Sequence, residues 1–170
     1  MRIQSELCET FAEHSPALYW LAYVITGDRE RAIVAFSGAL DLADASSTVS
    51  RNTLLFWARR LVILSAVSMV RTELQSAIAQ PRPELSLNLK QYPGDPNAPL
   101  NRKILESALF QLDVFSRCSL VLSVFEKLPV RVVALLLNTD EASVRRAREY
   151  AMCALTTELV RLLSEQCVAA

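Results

Sequence analysis

Apolar residues recur along this chain at three- and four-residue spacing, and alternation of β-branched with polar residues is scarce. The first period lays side chains along one stripe of an α-helix, whereas a half-buried strand requires a period of two. Leu18, Leu21, Ala22 and Ile25 follow the helical rule at i, i+3, i+4 and i+7. With only three glycines in 170 residues, no segment reads as a strand, and the expected fold is all-α.

Local signals divide the pattern into helices. Ser15-Pro16 opens the first stripe, the serine as N-cap and the proline in the first turn, and Gly27 closes it in a left-handed turn. Asp28 caps a second helix over 29–42, and the polar stretch DASSTVSRN separates it from a third over 53–78. Five of the seven prolines then fall between Gln80 and Pro99. Proline removes a backbone donor and clashes with the preceding turn, so this density reads as a linker. The chain therefore divides into two small helical domains, 1–79 and 100–170, joined by a proline-rich linker at 80–99.

Beyond the linker the pattern predicts helices over 102–112, over 114–127 with Asp113 as cap, over 130–137, and from Asp140 to about Cys167. Asn138 tolerates the left-handed conformation of the turn after the third of these. Asp140 and Glu141 place negative charge at a helix amino terminus, where the helix dipole favours it. A short apolar helix, a tight turn and a longer helix with Arg145, Arg146 and Arg148 in its early turns form a helix-turn-helix pattern.

Eighteen basic residues balance eighteen acidic ones, so contact with nucleic acid has to come from a local patch. No apolar run reaches the length of a membrane span, because Arg59 and Arg60 interrupt the best candidate, and no membrane partner is expected. The amino-terminal residues lack a basic segment followed by an apolar run, which leads to the expectation of no secretory signal and a cytoplasmic location. Cys8, Cys118, Cys153 and Cys167 lie far apart and the chain has one histidine, so neither a metal site nor a cofactor is expected. His14 beside Ser15 lacks a carboxylate or oxyanion partner, and Glu9 and Glu13 fit a solvated helix face. No residue is read as catalytic, and the chain is not read as an enzyme.

Three stretches together resemble the extracytoplasmic-function (ECF) sigma factors of bacterial RNA polymerase. LYWLAYVITGDRERA is similar to the opening of that family's second conserved region, where an apolar helix ends in a threonine-glycine-aspartate turn. WARRLVILSAVSMVR resembles the tryptophan-bearing promoter-melting helix. LDVFSRCSLVLSVFEKLPVRVVALLLNTDEASVRRAR is similar to the fourth region, whose helix-turn-helix reads the upstream promoter element. The resemblance covers nearly the whole chain. It implies a sigma-factor-like DNA-binding protein of transcription initiation, with RNA polymerase core and promoter DNA as partners.

It also implies site residues. Ser143, Arg145, Arg146 and Arg148 fall where duplex contacts are made, and arginine's fork suits both phosphate and guanine. Phe56, Trp57, Arg59 and Arg60 fall where melted DNA is captured by stacking, although aromatic residues among leucines more commonly serve as core. On the helix after the glycine-aspartate turn, the family carries acidic residues and a glutamine that grip the polymerase clamp. Val34, Ala35, Phe36, Ser37 and Gly38 stand there instead. Leu64 and Ser68 replace the usual asparagine and aspartate of the melting helix, Asn138 replaces the glycine of the turn, and Ala147, Tyr150 and Met152 replace later basic residues. The apolar exchange around Val34, Phe36 and Ser37 raises the alternative of a sigma-like interaction module that binds an anti-sigma or other regulatory partner without recognising a promoter.

Overall fold

Capping chemistry marks where the helices begin and end. The computed structural model describes residues 2–44, 53–81 and 102–168, and every regular element among them is helical. The helices are α1 (Arg2–Glu13), α2 (Ser15–Thr26), α3 (Arg29–Asp44), α4 (Leu54–Met69), α5 (Arg71–Ile78), α6 (Arg102–Phe110), α7 (Val114–Leu120), α8 (Val130–Leu137) and α9 (Glu141–Val168). The contacts divide the chain into two compact units, Met1–Gln75 and Ser76–Ala170. Residues 82–99 of the expected linker lie outside the described residues.

In the first unit Gly27 takes the left-handed conformation at φ 74° and closes α2 through its N–H to Tyr23 O. Asp28 Oδ1 then accepts from Arg31 N at 2.9 Å and starts α3. Ser15 is not the cap of α2: it is already helical, and His14 holds the cap position without a side-chain hydrogen bond. Proline at the second helical position needs no hydrogen-bond partner, so the helix starts without a side-chain cap.

The four apolar residues of the α2 stripe are all buried, and α2 packs on both α3 and α4. The most extensive packing in this unit is between α3 and α4. The buried stripe of α3 consists of Ala32, Ala35 and Ala39, small side chains that bring the helix close to its neighbours. At Gly38 the approach is closest, since a Cβ there would lie 2.9 Å from Ser65 Oγ of α4. Phe36 meets Phe11 of α1 edge to face, with ring centroids 5.6 Å apart.

The helix expected over 53–78 is broken at Val70, whose backbone sits at φ −103°, ψ 14°. Val70 O accepts from Leu74 N to begin α5, both side chains are buried, and Glu73 pairs with Arg31 of α3 at 2.5 Å. Neither proline nor glycine marks this break; burial of two apolar side chains after a change of direction accounts for it.

In the second unit α6, α7 and α8 each pack on α9. Leu109, Phe115, Leu120, Leu122, Val133 and Val144 are among its fully buried residues. Asp113 caps α7 by accepting from Phe115 N and Ser116 N. The helix expected over 114–127 changes character at Val121, where a π-helical turn, Val121–Phe125, inserts one extra residue per turn. Glu126 N donates to Val121 O, Lys127 adopts φ 54°, and Leu128 N donates back to Leu122 O at 2.9 Å.

Candidate nucleic-acid interface

Three residues between α8 and α9 set the geometry of the candidate interface. Asn138 lies in the left-handed region at φ 54°, ψ 54°, and its N–H caps α8 on Ala134 O and Leu135 O. Thr139 N donates to Ala134 O at 3.0 Å, which completes the αL closure. Asp140 then caps α9: its Oδ1 accepts from Ser143 N at 2.8 Å and its Oδ2 from Ser143 Oγ at 2.7 Å. Those two bonds, the hydroxyl's first, hold the Asp140 carboxyl below the usual aspartate range.

Val144, Ala147, Ala151 and Leu155 form the buried stripe of α9. Ala142, Arg145, Arg146, Glu149 and Met152 are therefore carried outward, and all five are exposed. Arg145 donates to Glu141 Oε2 at 2.6 Å one turn back, and Arg146 donates to Ser143 Oγ at 3.2 Å. Such exposed contacts are worth about 0.5 kcal/mol and give way readily to a better anion. Arg148 is half-buried at the edge of this face and has no hydrogen bond or ion pair among the described residues. The four positions expected from the sequence thus separate: Arg145 and Arg146 face outward, Ser143 is engaged by the cap, and Arg148 lies to the side.

The platform under α9 holds a charged residue that the sequence did not flag. Arg117 of α7 is 7% exposed; its guanidinium donates to Leu112 O at 3.1 Å and lies 5.5 Å from the centre of the Phe110 ring. Burial lowers its pKa, opposed by nearby negative charge. Burial also pushes the neighbouring Cys118 thiol up to about 12, so it is neutral at pH 7 and Asp113 is the anion that offsets Arg117 there. Arg117 thereby joins the residues after α6 to α7, both of which support α9. An arginine with apolar flanks at i−3 and i+3 (Val114 and Leu120) was the available signal, a basic residue on an otherwise apolar stripe.

In the first unit, Phe56 is 55% exposed and the Arg60 guanidinium lies 4.6 Å above its ring. Trp57 is half-buried, and its Nε1, like Arg60 Nε, is buried without a hydrogen-bond partner. Arg59 is half-buried one turn from Leu55. The aromatic-basic cluster therefore divides into an exposed Phe56 under a half-buried Arg60 and a Trp57 that packs into the unit.

On α3, Ile33 and Val34 are 56% and 57% exposed, and Ser37 is exposed beside them. Phe36 turns away toward Phe11 and is half-buried. Ile33 was missed as part of this outward face, although it lies one turn before Ser37. Glu9 and Glu13 are exposed on α1, and His14 and Ser15 are half-buried at the α1–α2 junction. No group of three or more potential metal ligands occurs among the described residues, and no helix among them is long and apolar enough to cross a membrane.

No protein-family model, curated protein or solved structure matches this chain.

Proposed function

We propose that the chain is a sigma-factor-like DNA-binding protein of bacterial transcription initiation, in which two small helical domains joined by the proline-rich linker engage RNA polymerase core and promoter DNA. The observation that carries the reading is the outward pair Arg145 and Arg146 on the second turn of α9, directly after a tight turn from α8. It supports a helix-turn-helix reading, because such a motif presents the early residues of its second helix to the major groove. Three arginines against two glutamates in the first turns of α9 leave little excess charge, so the affinity for duplex is modest and salt-sensitive. Replacing Arg145→Ala and Arg146→Ala together weakens duplex binding and flattens its dependence on salt by about two units in log–log slope. Helix content, followed by circular dichroism, stays unchanged because both side chains are exposed. An identical binding curve for the double variant overturns α9 as the duplex-binding element.

The exposed Ile33 and Val34 favour a second reading, in which the same chain is a sigma-like module that binds an anti-sigma or other regulatory protein. Val34 stands where the sigma family carries acids, Ile33 lies beside it, and exposed apolar surface marks partner contacts. Val34→Asp restores an acid at a position where the family carries one, and Ile33→Glu adds a second beside it. If the first reading holds through a weakened clamp contact, this double variant binds polymerase core at least tenfold more tightly. If the second holds, polymerase binding is absent in both proteins and the variant loses its regulatory partner.

A further inference from the structure

The outward stripe of α9 carries an acid among its bases. Ala142, Arg145, Arg146 and Glu149 follow one another at i, i+3, i+4 and i+7 and are exposed, opposite the buried Val144, Ala147 and Ala151. Arg145 lies one turn before Glu149 and is positioned to neutralise it, yet it turns back to Glu141, while Arg146 donates to Ser143. Glu149 has no hydrogen bond or ion pair among the described residues. An unpaired carboxylate directed at a duplex is repelled by every phosphate.

We infer that Glu149 determines base specificity, accepting a hydrogen bond from the amino group of a cytosine in the major groove two base-pair steps from a guanine addressed by Arg145. This rests on the reading of α9 as the helix that enters the groove. The chemistry is selective because a carboxylate only accepts. Guanine presents two acceptors in the major groove and thymine an acceptor and a methyl group, so both repel or ignore it. Adenine offers an amino group but sets its N7 acceptor alongside. Cytosine offers the amino group without that neighbour. Four residues of helix advance about 6 Å, close to two base-pair steps, so the guanine and the cytosine fall within one short run of the duplex. Glu149 thus lowers the affinity for duplex in general and restores it where the base edge donates.

The test uses the full chain, a randomised duplex library and about 50 mM salt, where a few phosphate contacts still retain DNA. The wild-type protein enriches sequences with cytosine at one position. Glu149→Gln moves the preference there to adenine, because the amide both donates to N7 and accepts from the amino group, changing the cytosine-to-adenine ratio about tenfold. Glu149→Ala abolishes the preference at that position and raises the retention of unselected duplex. The same base preference in all three proteins overturns the role of Glu149 while leaving α9 as the DNA-binding helix. Failure of all three to retain any duplex overturns both.

Discussion

The helices α3 and α9 carry the two candidate surfaces and are built on opposite plans. The inward stripe of α3 is alanine, at positions 32, 35 and 39, with Gly38 close against Ser65, and the aliphatic side chains of Ile33, Val34 and Leu42 are exposed. The inward stripe of α9 includes Val144 and Leu155 against a core that contains Phe115, and its outward stripe is mostly charge. A helix that buries alanine gains contact through proximity and leaves apolar area outside to drive association, which salt screens little. A helix that buries larger side chains and exposes arginine associates through charge, which salt weakens steeply. The two units thus offer partners different forces, and this is what a protein needs if one end meets protein and the other nucleic acid.

The contrast is broken or sharpened most strongly at Phe115, which is fully buried. Phe115→Ala removes a large ring from the second unit and lowers its stability by about 3 to 5 kcal/mol. Both tryptophans, Trp20 and Trp57, lie in the first unit, so their fluorescence reports that unit alone. The expected outcome is an earlier loss of helix by circular dichroism in urea with the tryptophan transition unmoved. A tryptophan transition shifted by the same amount shows that the units unfold together and that their plans are not separable.

A smaller effect is expected at Phe36, which is half-buried against Phe11. Phe36→Ala costs about 2 kcal/mol, below the figure for a fully buried ring because part of the side chain is already in water. Here the tryptophan transition moves. A loss as large as that at Phe115 would place Phe36 in the core proper and narrow the outward face of α3 to Ile33, Val34 and Ser37.

The smallest effect is local and depends on pH. The Asp140 carboxyl is held below the ordinary aspartate range by Ser143, so its folded pKa is lower than its unfolded one. A carboxylate of this kind stabilises the folded state above the unfolded pKa, and the contribution is lost as pH falls through the folded value. Amide exchange at Ser143, corrected for the intrinsic pH dependence, is therefore expected to lose protection only in acid below the usual aspartate range, and Asp140→Asn to lessen that dependence. Protection that is flat across that window would remove the cap from the account of how α9 begins.

Short-range signals were legible in the sequence. The left-handed turns at Gly27 and Asn138 and the caps at Asp28 and Asp113 each depend on a residue and its next three neighbours, and each is found where the residue types place it; Asp140, expected only as negative charge at a helix amino terminus, is the cap of α9. Helical spacing also identified four of the buried residues of α2, Leu18, Leu21, Ala22 and Ile25, and missed Val24 and Thr26. Reading failed once at short range, at the Ser15 cap that Pro16 makes unnecessary, and otherwise where the deciding contact was remote. Val70 breaks a helix where Leu74 becomes buried and Glu73 pairs with Arg31 of α3, and the π-helical turn at Val121 lies where the chain packs against α8. Nothing within four residues announces either.

The candidate interface divides along the same line. That α9 begins with arginines after a capped turn follows from the order of residues alone, because capping and helical period are properties of a short chain segment. Which of those residues face outward follows only from the packing of α9 on α6, α7 and α8, which buries Val144 and Ala147, turns Arg148 aside and leaves Glu149 exposed beside Arg145. The sequence by itself determined helices, their caps and the chemistry available on each. Tertiary structure decided that Ile33 and Val34 stay in water and that Arg117 leaves it, because burial depends on what the rest of the chain sets against a side chain and not on the side chain's own character.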